Sequence, residues 1–241
     1  MLRELSIIIP TYNEAENILT IISRLIARLD DICDYEIIVS DDDSPDGTWR
    51  LVQDLSEKNP RVKLLRRIGR KKGLSQSVVD GFHQSDGKIL LVMDGDGQHD
   101  ESCLPGIIEL SKENDMVIGS RFAENSIIED KWPAYRLLAS KVAIFTASLL
   151  LGVRISDPMS GFFTVSKEAF NTVSPHIKAE GFKIMLEILC ILKRKKPSCK
   201  IAETGIKFRK REKGSSKLGL GVTLNLIKMI LRLKISRLHT S

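Results

Sequence analysis

Residues 90–100 read Leu-Leu-Val-Met-Asp-Gly-Asp-Gly-Gln-His-Asp: four apolar side chains run straight into three carboxylates interleaved with glycines. A continuous apolar run that stops abruptly is the pattern of a strand buried on both faces. Its continuation places Asp94 and Asp96 one residue apart, just where such a strand leaves the core. Working outward from this stretch, Leu5–Ile9, Glu36–Ser40, Val62–Arg66 and Met116–Gly119 repeat the strand pattern of Ile89–Met93. Between them, Glu14–Leu29, Gly47–Lys58, Gly73–Gln84 and Glu101–Lys112 carry apolar residues at helical spacing. Strand–helix alternation predicts an α/β fold, a parallel sheet covered by helices, with ligands bound beyond the carboxyl ends of the strands.

Three strand ends carry chemistry. The first runs into Pro10-Thr11-Tyr12-Asn13-Glu14, the second into Asp41-Asp42-Asp43-Ser44-Pro45-Asp46-Gly47, and the fourth into Asp94-Gly95-Asp96-Gly97-Gln98. Each alone is ordinary turn and helix-cap composition. Three acidic ends on one sheet edge are another matter, because neighbouring carboxylates repel unless a cation or ligand donors compensate. Neither G-x-G-x-x-G nor a P-loop follows a strand, so phosphate has to be held in another way. An Asp-x-Asp at a strand end holds Mg²⁺ or Mn²⁺ through hard oxygens while diphosphate oxygens fill the remaining positions. Gly95 and Gly97 are then expected to admit a bulky diphosphate close to the backbone.

Composition supports a folded chain that buries a substantial core. The chain has 241 residues, 42% of them hydrophobic, and no repeat or low-complexity tract, enough for one large α/β domain. The N-terminus LRELSIIIPTYNE lacks the features of a signal peptide, so an intracellular location is expected. Cys33, Cys103, Cys190 and Cys199 have neither CxxC spacing nor a companion His, and read as buried reduced thiols. His83, His99, His176 and His239 are too scattered for a metal set, with only His99 near the carboxylates. Net charge is +6, but residues 207–241 hold ten Lys/Arg against one acid, a net of +9, leaving −3 for the rest. A cationic tail on a nearly neutral body implies an anionic partner: phosphate, phospholipid headgroups or nucleic acid.

The blocks IIIPTYNE, DDDSPDGT, GLSQSVVDGF, MDGDGQHD, GSRF, DPMSGFF and GSSKLG occur in an order and spacing that resembles family-2 glycosyltransferases, most closely those of the dolichol-phosphate (polyprenyl-phosphate) mannose synthase type. The resemblance covers nearly the whole chain. It implies a glycosyltransferase A-type fold with a mainly parallel sheet, and transfer of mannose from GDP-mannose to a polyprenyl (dolichyl) phosphate. By that similarity Pro10, Tyr12, Glu14, Asp41 and Asp42 line the nucleobase and ribose pocket, with Asp43 close by. Asp94, Asp96 and Gln98 hold Mg²⁺ or Mn²⁺, and with Gly95 they hold the donor's diphosphate. Arg121 and Arg136 face donor or acceptor phosphates, Ser160 lies on the acceptor side, and Lys183 is a further phosphate contact. Arg211 and Lys217 belong to a basic loop that covers the diphosphate. Asp96, Arg211 and Lys217 are the catalytic candidates, together with Asp157 in an orienting role. Asp43 stands where Asn is frequent, and Gly95 and Gly97 where Ala and Leu are. No carboxylate is lost by these departures.

A polyprenyl phosphate is already anionic at neutral pH, so the implied reaction needs no dedicated base. Positioning and charge stabilisation of the leaving nucleoside diphosphate carry it, and single displacement inverts the anomeric centre. Three alternatives stand beside this reading: transfer of glucose, N-acetylglucosamine or an aminosugar from a UDP-sugar to the same lipid class, transfer to a sugar hydroxyl by a soluble family-2 enzyme, or nucleic-acid binding through the basic tail. Phe208 is the tail's single aromatic, whereas nucleic-acid platforms interleave several, which argues against the last.

Residues 1–210 are expected to form the catalytic domain, and 211–241 a basic loop and C-terminal helix. Leu137–Val153 is strongly apolar, but only the twelve residues Val142–Val153 lack charge, and a bilayer span needs about 20. The segment is a core helix or one lying in the membrane interface, anchored by Trp132, Arg136 and Lys141. The final GVTLNLIKMILRLKISRLH is basic and amphipathic, which favours an anionic membrane surface. The expectation is a peripheral enzyme on the cytoplasmic side of a membrane, with a membrane-embedded partner as a further expectation.

Overall fold

A computed structural model describes residues 3–129, 155–181 and 183–210. Arg136, Arg211, Lys217, the apolar segment Leu137–Val153 and the basic C-terminal helix lie outside the described residues.

All five strands expected from the apolar runs are present. They are β1 (Arg3–Thr11), β2 (Tyr35–Asp41), β3 (Val62–Arg66), β4 (Gly87–Val92) and β5 (Met116–Ser120). The connecting helices are α1 (Ile18–Leu29), α2 (Thr48–Ser56), α3 (Leu74–Gln84) and α4 (Leu104–Ser111), the last preceded by a 3₁₀ turn at Glu101–Cys103. A short β6 (Ile127–Ile128) follows, then β7 (Phe163–Ser166), α5 (Lys167–Val173), α6 (Ile184–Lys195), β8 (Ile201–Gly205) and β9 (Lys207–Phe208). The main sheet runs β3-β2-β1-β4-β7-β5-β8, and β6 pairs with β9 beside it.

Strand neighbours β2/β3, β1/β2, β1/β4 and β5/β8 are parallel, while β7 runs antiparallel between β4 and β5. From β1 the chain builds outward to β2 and β3 on one side, then returns to add β4 on the other. That reversal of strand order between β1 and β4 opens a crevice at their carboxyl ends, the usual ligand position in such sheets.

The alternation of side chains along each strand divides the core in two. Leu5, Ile7 and Ile9 of β1 pack with Ile18, Ile21, Ile22 and Leu25 of α1 and with Leu104, Ile107 and Ile108 of α4. Ile8 faces the other way, among Val78, Val79 and Phe82 of α3, Phe170 of α5 and Leu186 and Leu189 of α6. Helices on both faces cover the inner strands, so their apolar runs and abrupt polar ends follow from the layering, while the edge strand β3 is only part-buried.

Among the described residues, no helix is long and apolar enough to cross a membrane.

Candidate active site

The loops after β1 and β2 are laced together by hydrogen bonds that cross between them. Backbone N–H groups of Asn13, Glu14 and Ala15 donate to Ser44 Oγ (3.0 Å), Thr48 Oγ1 (2.9 Å) and Asp46 Oδ2 (3.0 Å). These donors serve the neighbouring loop, and Asn13 is left-handed (φ 56°), so α1 begins at Ile18 rather than at the expected Glu14. Asp41 is the centre of this lacing: it accepts from Thr11 Oγ1 (2.7 Å), Ser44 N (2.8 Å) and Ser44 Oγ (2.7 Å). It has no exposed surface, and it braces the wall between the two loops. Asp42 is 5% exposed, pairs with Arg67 and accepts from Gly73 N (2.7 Å). Asp43 adopts φ 54°, a conformation that Asp and Asn tolerate better than most residues, and pairs with Arg66 at 2.6 Å. Pro10 lies in β1 opposite Ser40, and the Glu14 carboxylate accepts from Asn17 Nδ2 (2.9 Å). Tyr12 stands at the rim, 37% exposed, with Lys72 Nζ 4.7 Å from its ring centre.

The second wall is the turn after β4. Met93 N donates to Ile8 O (3.1 Å), which holds the strand end against β1. The next N–H, of Asp94, donates to His99 Nδ1 at 3.3 Å. His99 is 3% exposed, stacked on Phe162 (5.1 Å between centroids) and edge-on to Phe208 (5.4 Å). Burial, against the pull of Asp96, drives its pKa from 6.5 down to about 4, so the ring is neutral and its Nδ1 lone pair takes the Asp94 amide. Asp96 Oδ1 accepts from Gln98 N (3.1 Å) across Gly97, whose φ is 75°.

The two glycines have reasons other than the expected access for a diphosphate. A Cβ on Gly95 would sit 3.1 Å from Thr11 Cγ2 and 3.3 Å from Ile9 Cγ2, so Gly95 lets the turn lie on β1. Gly97 faces open space and is needed for its backbone angle. Gly161 makes room for the Asp94 carboxylate: a Cβ there would fall 2.5 Å from Asp94 Oδ2 and 2.9 Å from Oδ1.

A divalent cation suits this turn. Asp94 and Asp96 are both part-exposed, they offer hard carboxylate oxygens at the mouth of the crevice, and Gly161 leaves room for the Asp94 carboxylate. Among the described residues no group of three or more His, Cys, Asp or Glu could hold a metal by itself. Two protein carboxylates with diphosphate oxygens and water completing the shell are a normal set for Mg²⁺ or Mn²⁺. Gln98 is 8% exposed, and its Nε2 donates to Arg209 O (3.2 Å) while its carbonyl accepts from Arg209 N (2.7 Å). Its side-chain oxygen is therefore the one group it can offer as a ligand.

Two cationic side chains, Arg121 and Lys183, stand in the electrostatic neighbourhood of these carboxylates. Arg121 forks onto Asp157, with Nε to Oδ2 at 2.7 Å and Nη2 to Oδ1 at 2.8 Å. Asp157 is fully buried and also accepts from Arg121 N (3.2 Å) and Met159 N (3.2 Å). It thus orients Arg121, the kind of role expected of it. The Ser160 hydroxyl donates to Gly119 O (2.6 Å) and accepts from Phe162 N (3.1 Å), so it braces the loop. Lys183 Nζ donates to Met159 O (3.4 Å). Burial lowers its pKa from 10.5 to about 8; nearby Arg121 adds to the shift, and Asp94 and Asp157 oppose it. Asp94, Arg121 and Lys183 therefore share one electrostatic neighbourhood.

Sequence reasoning missed Arg67 and Arg209. Arg67 reads as the tail of an apolar run, and nothing in its spacing announces a buried ion pair. Arg209, bound to Glu101 (2.8 Å) and Asp100 (3.0 Å), was hidden within the general positive charge of the tail. The structure places Lys72, in the loop before α3, over Tyr12.

The glycosyl transferase family 2 model matches residues 6–174. The chain belongs to glycosyl transferase family 2. The dolichol-phosphate mannosyltransferase of Pyrococcus furiosus is 44% identical over 218 residues, 89% of this chain and 59% of that protein. This family-2 chain thus spans less than two thirds of that relative's length. The dolichol-phosphate mannosyltransferases of Mycosarcoma maydis and Saccharomyces cerevisiae are 33% and 34% identical over 95% and 94% of the chain, covering 78% and 85% of those proteins. Glucosyl-3-phosphoglycerate synthase from Mycobacterium tuberculosis, solved with Mn²⁺, UDP and phosphoglyceric acid, superposes with a TM-score of 0.70 at 17% identity, over 98% of this chain and 78% of that one. The family-2 chain therefore has the glycosyltransferase A-type fold.

Proposed function

We propose that this glycosyltransferase moves mannose from GDP-mannose to dolichyl or another polyprenyl phosphate, with inversion. The observation that carries the reading is that Asp94 and Asp96, just beyond β4, share an electrostatic neighbourhood with Arg121 and Lys183, in a chain whose relatives are named dolichol-phosphate mannosyltransferases.

Asp94 and Asp96 would hold Mg²⁺ or Mn²⁺, which when bound supplies positive charge to the departing nucleoside diphosphate. The protein's own part is placement. The His99 acceptor and the Gly161 gap fix where the Asp94 carboxylate stands, and Asp157 fixes the orientation in which the Arg121 guanidinium would meet a phosphate. An acceptor phosphate is anionic at neutral pH, and the reading accordingly asks no carboxylate to serve as base. Asp157 is committed to Arg121. Arg211 and Lys217 would add charge over the diphosphate, and Arg136 would meet a phosphate. The +9 segment 207–241 supports attachment to an anionic cytoplasmic membrane surface, where a polyprenyl phosphate resides.

The test is product formation. The protein is incubated with Mg²⁺ or Mn²⁺, a short polyprenyl phosphate and a panel of GDP- and UDP-sugars, and glycolipid is sought by mass spectrometry. A mannolipid from GDP-mannose is expected, and Asp96→Ala should lower its rate by roughly 10²-fold or more, the usual cost of losing one charge-stabilising contact. Turnover with UDP-sugars alone would overturn the mannose assignment.

A further inference from the structure

Arg67, the residue after β3, is 1% exposed, and its guanidinium binds three separate segments. Its Nε donates to Asp80 Oδ2 on α3 (2.8 Å), its Nη2 to Lys71 O (2.9 Å), and its Nη1 to Asp42 Oδ1 in the loop after β2. Its own N–H donates to Asp41 O (2.8 Å). Asp42 passes the connection on by accepting from Gly73 N (2.7 Å), and Asp80 accepts in addition from Arg70 Nη1 (2.8 Å) and Gln76 Nε2 (3.2 Å).

The loop from 67 to 73 is thereby pinned at Arg67, Lys71 and Gly73. Lys72 is the exposed residue between the last two pins, with its ammonium 4.7 Å from the centre of the Tyr12 ring. Tyr12 lies on the β1 wall of the crevice. Apolar side chains of equal volume often stabilise a fold as well as a buried guanidinium with two carboxylates does, so what this network adds beyond stability is a defined loop geometry. The planar fork reaches three acceptors at fixed angles, which an ammonium cannot do.

We infer that Arg67 is a positioning residue for the nucleotide-sugar: through Asp42, Asp80 and the Lys71 carbonyl it holds the 67–73 loop so that Lys72 and Tyr12 face the donor's nucleoside diphosphate. The inference rests on the reading of this crevice as a nucleotide-sugar site.

Arg67→Lys and Asp80→Asn test it, with Mg²⁺ present throughout. Both should raise the donor KM and the calorimetric Kd for GDP at least tenfold while kcat stays within about threefold of the parent, the pattern of lost uniform binding. A folded variant whose KM and Kd remain within twofold of the parent, or one that loses kcat at unchanged KM, would overturn the inference. Should both variants fail to fold, hydrogen exchange on the unmodified protein decides. GDP should slow exchange in residues 67–73, and GDP that binds without slowing that segment overturns the inference. If the unmodified protein binds neither GDP nor UDP, the crevice is not a nucleotide-sugar site, and the inference falls together with the function it rests on.

Discussion

Single residues at the crevice divide into those that offer surface and those that shape it from behind. Asp41, Asp157 and Ser160 are acids or hydroxyls in motif blocks, and each is buried with its polar atoms engaged by its own loops. Such fully satisfied buried groups rigidify a site. Asp94 and Asp96, part-exposed, are what the crevice presents. Gly161 belongs with the shaping residues although it carries no polar side chain. In Gly161→Ala the new methyl would meet both carboxylate oxygens of Asp94 within 3 Å, and Asp94 would have to turn away. Activity should fall by roughly 10²-fold, on the scale of losing one charge-stabilising contact, while circular dichroism stays that of the parent. Full activity in this variant would show that the Asp94 position is not critical.

Elements were more legible than the contacts between them. The runs Leu5–Ile9, Glu36–Ser40, Ile89–Met93 and Met116–Gly119 stand out because those strands are buried on both faces, while Val62–Arg66, the part-buried edge strand, carries Lys63 within its run. The alternation with helices then fixed the layering. Less visible was β7, Phe163–Ser166, a four-residue strand that enters antiparallel between β4 and β5; it is too short to have a period of its own, and its partners lie more than 40 residues away in the chain. Helix starts were misplaced where backbone donors go to a neighbouring loop, as at residues 13–15. The acidic strand ends marked the site, and their convergence followed from the parallel sheet. Which acids face the crevice did not follow, because Asp41 and Asp42 have the same side chain and neighbouring positions, and only long-range partners such as Thr11 and Arg67 decide their exposure.

For the whole molecule, charge has two scales: the +9 segment 207–241 set against the rest of the chain, and a set of local pairs that bind the layers together. Burial would raise the pKa of Asp80, but hydrogen bonds from Arg67, Arg70 and Gln76 outweigh it and hold it below 3.8. Asp100 and Asp115 behave alike, their burial outweighed by Ser102, Arg209 and Lys207 in one case and by Lys196 and Lys200 in the other. Each binds its proton more weakly folded than unfolded. Their contribution is therefore complete above the ordinary carboxylate pKa and is lost as pH falls below about 4. Urea unfolding should show a lower midpoint at pH 3 than at pH 6, by an amount equivalent to about 2 kcal/mol, the scale of a charged hydrogen bond. An unchanged midpoint would mean that these pairs contribute nothing.

The account as a whole turns on where a divalent ion settles when a nucleotide is bound. Crystals grown with GDP and Mn²⁺, measured for anomalous scattering from manganese, answer this directly. The account predicts one strong peak touching carboxylate oxygens of Asp94 and Asp96 and the diphosphate. A nucleotide bound with no manganese at those two residues, or manganese bound elsewhere on the chain, would contradict it.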